Sequence, residues 1–439
     1  MKKHILTSLI TAAVLNTTTG HAETLFEVYK LAKQSDPGLR AAQATYQAQK
    51  ESVTVSEGNL YPSLTFSGGL TYDKTNSPAY DDTGLAQSLS LDLDYPIYSP
   101  ALTYAVDGVK LGSQSAELSL ENTEEDLALT TLTEYFQLLI AQATLKTTQA
   151  QVKATESQLD RAKKQYEVGL ASITDLQDTQ AEYDSVRVTE LSARSDVAYA
   201  QQALYQRTGR TISSIPELAD DFPIRLNADM TVDSLINKAR RNNKDIQALD
   251  IDVQSAQNNI SIQKASGRTP TVSLTGSLSH ANYDYSPNRT STNGNTEYAS
   301  VGLGVSIPLY SGGAINASVR QAQSSATAAE ELRASALQSI ELNIRSLVLE
   351  LQTSVAQIAA QEQLIRSRTS ALEATKAGYD VGTRNLVELL DAQSNLYDAQ
   401  NSYETARYNF ILQRLNLLEV TGELTEEEIK ALDKWLVLK

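Results

Sequence analysis

The chain states one long pattern twice. Val168-Gly169-Leu170-Ala171-Ser172-Ile173-Thr174-Asp175-Leu176-Gln177-Asp178 returns as Val381-Gly382-Thr383-Arg384-Asn385-Leu386-Val387-Glu388-Leu389-Leu390-Asp391. Tyr95-Pro96-Ile97-Tyr98-Ser99 matches Ile307-Pro308-Leu309-Tyr310-Ser311, and Thr208-Gly209 matches Thr421-Gly422. The spacing, about 210 residues, far exceeds the roughly 20–50 of a solenoid unit. It marks a duplicated half the size of a domain. Each half combines short alternating strands with very long helices, and few folds accommodate both.

The first residues read as a secretory signal peptide, residues 1–22. Lys2 and Lys3 form the basic start, Ile5 to Leu15 the apolar stretch, and Gly20-His21-Ala22 a small-residue cleavage site. The apolar stretch falls short of the ~20 residues of a membrane span. There is no cysteine, which excludes a disulfide framework and a thiolate metal site. Three His and two Met leave little for a transition metal, so no metal and no cofactor is expected. A net charge of −16 argues against nucleic acid as a partner, because phosphate contacts need clustered Lys and Arg.

Residues 24–59 read as helix, with Leu25, Val28, Leu31 and Ala32 at helical spacing. After Tyr61-Pro62 the period becomes two. Leu64, Phe66, Gly68, Leu70 and Tyr72 point one way, and Ser63, Thr65, Ser67, Gly69 and Thr71 the other. A polar loop is expected at 73–86. Leu89, Leu91, Leu93, Tyr95 and Ile97 then alternate with Ser88, Ser90, Asp92 and Asp94. The second half repeats the plan: helix over 231–266, Thr269-Pro270, then Val272, Leu274, Gly276 and Leu278. A loop is expected at 284–296, followed by Val301, Leu303, Val305, Ile307 and Leu309. Four strands of 10–12 residues result, in hairpins 61–98 and 269–310. A soluble sheet alternates in the same way. The strand lengths, however, match the ~9–11 residues of a tilted bilayer span. Tyr also clusters at the strand ends (Tyr61, Tyr72, Tyr95, Tyr98, Tyr283, Tyr298, Tyr310), as in interfacial aromatic girdles. Four strands cannot close a barrel, and lipid does not tolerate an open edge. Several chains are needed. Two would supply eight strands and three twelve, and the strands alone leave both open.

From Ala101 to Glu167 there is no Pro, and at ~1.5 Å per residue that segment is close to 100 Å long. Its counterpart runs from Ala314 to Tyr379, where Leu337, Ile340, Ile344, Leu347, Leu351, Val355 and Ile358 step by three and four. Shorter helices follow Gly169 (172–207) and Gly382 (385–420). The parts are a first repeat (23–208), a linker (209–230), a second repeat (231–421) and a tail (422–439). The fold class is α+β: a coiled-coil helical assembly joined to a transmembrane β-barrel.

These residues resemble the TolC family of trimeric outer-membrane efflux channels. The likeness rests on the duplicated halves, on Tyr166-Glu167-Val168-Gly169 with Ile173-Thr174-Asp175, and on Gly378-Tyr379-Asp380-Val381-Gly382-Thr383-Arg384 with Leu390-Asp391-Ala392. It implies a homotrimer with twelve strands in outer-membrane lipid. A helical barrel of roughly 100 Å would continue into the periplasm. Its far end would close like an iris and meet an inner-membrane pump through a periplasmic adaptor. The resemblance assigns gate links to Thr174, Asp175, Tyr379 and Arg384. It assigns an acidic constriction to Glu388 and Asp391; the family pattern has Asp at both positions, so Glu388 is a departure. The turns at Gly169 and Gly382, with Leu176, Leu386 and Leu389, are candidates for adaptor docking.

No G-x-x-x-x-G-K-[ST] loop is present, so energy for transport would come from a partner. Two rival readings stand beside the duct. A trimeric coiled-coil stalk or adhesin predicts strands at one terminus only. An exported hydrolase would need general bases, and the chain offers few; no catalytic residue is assigned.

Overall fold

The computed structural model describes residues 23–77, 80–212, 215–226, 230–285 and 293–437. The expected signal peptide lies outside the described residues, as do parts of both expected hairpin loops.

The first half runs α1 (Leu25–Ser35), α2 (Pro37–Gly58), β1 (Ser63–Ser77), β2 (Tyr80–Tyr98), α3 (Pro100–Glu167) and α4 (Ile173–Thr208). A two-residue strand, β3 (Glu217–Leu218), follows. The second half repeats the order with α5 (Val232–Asn242), α6 (Lys244–Arg268), β4 (Thr271–Tyr285), β5 (Gly294–Ser306), α7 (Ala314–Asp380) and α8 (Leu386–Val420). The chain then forms α9 (Glu426–Asp433) and β6 (Leu436–Val437).

The single helix expected at 24–59 is two. Asp36 ends α1 by donating its N–H to the Ala32 carbonyl, and its carboxylate accepts the Leu39 N–H to start α2. Pro37 suits that first position, where no N–H is required. Asn243 does the same between α5 and α6, accepting the Ile246 N–H.

The sheet has the order β1-β2-β4-β5, antiparallel throughout, so its centre joins the two halves. β1 and β5 are its edges. The strands contain 15, 19, 15 and 13 residues, all longer than expected and β5 by the least. The loop expected at 73–86 is mostly ladder: Asp73 pairs with Gly84 and Lys74 with Thr83. Ile307 and Leu309, expected in strand, lie past the end of β5, where Pro308 has no N–H to pair.

One sheet face is apolar and uncovered. Leu64, Phe66, Leu70, Tyr72, Val301, Leu303 and Val305 are each more than 60% exposed. The opposite face carries Ser, Thr, Gly, Asp92 and Asp94. It also carries Tyr283 and Tyr298, which share rows with Thr71 and Ser67 and so do not join the expected lipid-facing girdle. The apolar band is slanted. Phe66 shares a register row with Leu91, Leu278 and Ala299, while Leu70's row ends in Gln87, Asn282 and Asn295. Its upper edge thus falls from Tyr72 on β1 to Ala299 on β5, about 20 Å along the strands over about 14 Å of sheet. A level membrane surface crosses such a sheet only if the strands are steeply tilted.

α3 and α7 contain 68 and 67 residues. α2 and α4 pack along α3, and α6 and α8 along α7; α6 and α8 also touch α3 and join the halves. Of the expected α7 stripe, Ile344, Leu347, Leu351 and Ile358 are buried. The main core sits at the waist. Leu132, Tyr135 and Phe136 of α3 meet Phe410 and Leu415 of α8 there, with α1, α5 and α9 around them. The segment expected as a linker contributes to this core through Ile212, Ile215, Leu218 and Phe222. Phe222 meets Trp435 edge-on at 5.7 Å, and β3 pairs with β6. Strands drawn from the middle of both halves into one sheet do not fit a stalk with strands at one terminus. Among the described residues no helix is long and apolar enough to cross a membrane.

Candidate gate at the paired helix turns

The two long helices end in matching turns. At the end of α3, Gly169 adopts φ +73°, a conformation that penalises a Cβ. Its N–H donates to the Tyr166 carbonyl at 3.0 Å, and the Leu170 N–H to that of Gln165 at 2.7 Å. At the end of α7, Gly382 adopts φ +79° and donates to the Tyr379 carbonyl at 3.0 Å. Both exits are capped. The Ser172 hydroxyl accepts the Asp175 N–H (3.0 Å) while the Asp175 carboxylate accepts the Ser172 N–H (3.1 Å), a reciprocal capping box. Asn385 Oδ1 accepts the Glu388 N–H at 2.8 Å.

The fold brings these turns together. The Tyr379 hydroxyl donates to Gln165 Oε1 at 3.2 Å, and Arg161 lies 3.8 Å from Asp380. Burial, reinforced by the charge of Asp175, holds the Tyr379 phenol above its ordinary range. A phenol at or above that range is a donor at neutral pH. Thr174 is exposed. Arg384 pairs within the chain with Glu388, Nη1 to Oε2 at 3.2 Å. Asp391 is exposed on the next turn of α8.

Glu388 and Asp391 have different company. Glu388 is drawn back toward the turn by Arg384, and its Oε1 accepts from Asn385 Nδ2 at 3.4 Å. Asp391 lies near Glu182 of α4, whose carboxyl is pushed up by burial and then by the charges of Asp391 and Asp398. Glu182 was missed by sequence reasoning, which gives no register between α4 and α8.

Leu386 and Leu389 do not face outward. They are 4% and 1% exposed and form the tip's own core with Ala162 and Leu390; Leu176, Leu372 and Tyr379 pack against it. Capping by Asn385 sets the helical phase, and that phase turns both leucines inward. The apolar side chains free at the tip are Val168, Leu170, Ile173, Val381 and Val387. Among the described residues no cluster of His, Cys, Asp or Glu is arranged to hold a metal ion.

Residues 28–210 and 235–423 match the family described as Outer membrane efflux protein. The chain belongs to this family. The two matched segments coincide with the two halves, so the duplication is a property of an outer membrane efflux protein. The Outer membrane protein TolC of Escherichia coli (strain K12) is 32% identical over 426 residues, covering 94% of this chain and 85% of its own. The Outer membrane protein TolC of Vibrio cholerae is 32% identical over 436 residues, covering 98% and 97%. In fold, the chain is similar to the crystal structure of the outer membrane protein VceC from Vibrio cholerae. The TM-score is 0.74 at 19% identity, over 91% of this chain and 96% of that one. The uncovered apolar face of the sheet accords with an outer-membrane location, and the family's members are channels rather than enzymes.

Proposed function

We propose that the chain is the outer-membrane exit duct of tripartite efflux or type I secretion. It passively conducts drugs, small molecules or proteins from an inner-membrane pump, reached through a periplasmic adaptor. The observation that carries this reading is a lipid-ready sheet with two open edges, set in the same chain as helices of roughly 100 Å. Lipid requires every edge to be paired. Three copies close twelve strands around a lumen wide enough to conduct, lined by Ser, Thr, Gly, Asp92 and Asp94. The helices continue that lumen through the periplasm to the paired turns.

At the turns, Tyr379, Asp175, Thr174 and Arg384 form links between neighbouring hairpins. Arg offers a planar, permanently charged fork to a carboxylate, and the protonated Tyr379 donates to the same kind of acceptor. Breaking the links lets α7 and α8 swing outward, with the adaptor biasing a two-state element. Asp391, with Glu388, gives the constriction a preference for cations. The adaptor meets the exposed apolar residues around Gly169 and Gly382, with Leu176 at their margin.

The test is single-channel conductance in planar bilayers, wild type beside Arg384→Ser. A small cation-favouring conductance that rises several-fold in the variant is expected. Folded protein with no current in either form would end the channel reading.

A further inference from the structure

Arg384 has a seat inside its own chain, and a glycine makes it. Gly378 lies in the last turn of α7, and the stem of Arg384 crosses the space a side chain there would fill. A Cβ on Gly378 would stand 2.7 Å from Arg384 Cγ, 3.2 Å from Thr383 Oγ1 and 3.4 Å from Arg384 Cβ. The Gly378 carbonyl accepts the Thr383 N–H (2.8 Å), the Arg384 N–H (3.2 Å) and the Thr383 hydroxyl (3.1 Å). The turn is thereby pinned with Arg384 folded over Gly378, and the guanidinium reaches Glu388 Oε2 at 3.2 Å. Glu388 sits in the first turn of α8, where free N–H groups favour a carboxylate. Helical side chains lean toward the N-terminus, so this carboxylate is aimed at the turn. Arg384 is 59% and Glu388 40% exposed, so solvent screens the pair and it can exchange.

We propose that Glu388 is a holding partner for Arg384, seated by Gly378, and that the charge of the constriction depends on where Arg384 is. Held on Glu388, the arginine leaves each chain with one unmasked carboxylate of the constriction pair, Asp391. Transferred to a neighbouring copy, it unmasks Glu388 and the ring gains a second carboxylate per chain. Linking the hairpins and strengthening the cation preference are then one event. Gly378 is a positioning residue for that event. The proposal rests on the channel reading and adds a coupling that the channel reading does not require.

The experiment measures block by lanthanum added to the periplasmic side of single channels. It compares wild type, Gly378→Ala, Glu388→Gln, the double variant and Asp391→Asn. Alanine favours a helix more than glycine does, so Gly378→Ala preserves α7. Gly378→Ala should unseat Arg384 and lower the half-blocking concentration several-fold. Glu388→Gln alone should weaken block far less than Asp391→Asn does, because Arg384 masks that carboxylate most of the time. The double variant should return to the Glu388→Gln value. Asp391→Asn should weaken block strongly. The proposal is overturned if Glu388→Gln weakens block as much as Asp391→Asn while Gly378→Ala does nothing, since the two acids would then act independently. No current in wild type or in Arg384→Ser would instead remove the channel reading, and the proposal with it.

Discussion

The turns after α3 and α7 occupy equivalent places in the duplicated halves, and they have diverged in use. Both reverse at a glycine with positive φ, and both restart a helix from a polar cap. In the first turn, Asp175 spends its carboxylate on its own helix, closing the box with Ser172. In the equivalent slot of the second turn, Glu388 is longer and reaches an arginine. That arginine, Arg384, stands where the first turn has Ala171. The second turn also supplies Leu386, Leu389 and Leu390 to the tip core, whereas the first contributes the partly buried Leu176. The comparison shows how duplication yields two copies of a backbone, one kept as a plain turn and the other loaded with packing and charge.

The largest effect should separate the two turns by packing. Leu389→Ala removes a side chain that is 1% exposed and should destabilise the tip by about 2–5 kcal/mol. Leu176→Ala should cost clearly less. Hydrogen exchange across both turns reads the difference, and equal losses would break the asymmetry.

A smaller effect should unite them. Ser172→Ala and Asn385→Ala each remove an N-cap and should each cost about 1 kcal/mol. Faster exchange confined to the first turn of α4 or of α8, by similar factors, is expected. A much larger loss at Asn385 would mean that its contact with Glu388 matters beyond capping.

The smallest effect lies at the far end of α8, where the waist sets the helix that carries the loaded turn. Burial, and then the charges of Asp126, Asp245 and Glu125, push the Glu419 carboxyl up to about 7. A raised carboxyl favours the folded state when protonated. Its contribution is fully present below the ordinary glutamate range and is lost as pH rises through about 7. Glu419→Gln should therefore slow exchange at the end of α8 at pH near 8 and change little in acid. Equal effects at both pH values would remove the linkage.

Much of this architecture was legible in residues. The band from Leu64 to Tyr72 and from Val301 to Val305 was readable because one apolar face imposes period two. The ladder from Asp73 upward was not, because strands wetted on both faces need no apolar alternation. The break at Asp36 carried its signal in Asp36-Pro37, but continuous helical spacing on both sides hid it. Tyr379, Arg384 and Asp175 are assigned to the gate by motif likeness rather than by spacing or periodicity. The inward turn of Leu386 and Leu389 depends on which face of α8 meets α3, and Glu182 depends on the register of α4 against α8. Neither is a local property.

The slanted apolar band has a consequence for assembly. Its edge descends about two residues per strand step, like the thread of a screw. If the next copy enters on the same pitch, its Leu70 falls opposite Leu303, and its Phe66 and Leu64 fall opposite Ile307 and Leu309. Those last two lie beyond the end of β5 in the single chain, and they would become ladder only when a neighbour arrives. The chain has no cysteine of its own, so Leu70→Cys with Leu303→Cys gives an unambiguous reading: oxidation should link copies into covalent trimers. Absence of cross-linking there, with efficient cross-linking from a pair two residues away, would give the thread a different pitch. On this geometry each copy is incomplete by the width of one strand pairing at each side, and the ring, rather than the chain, is the smallest unit that lipid can accept.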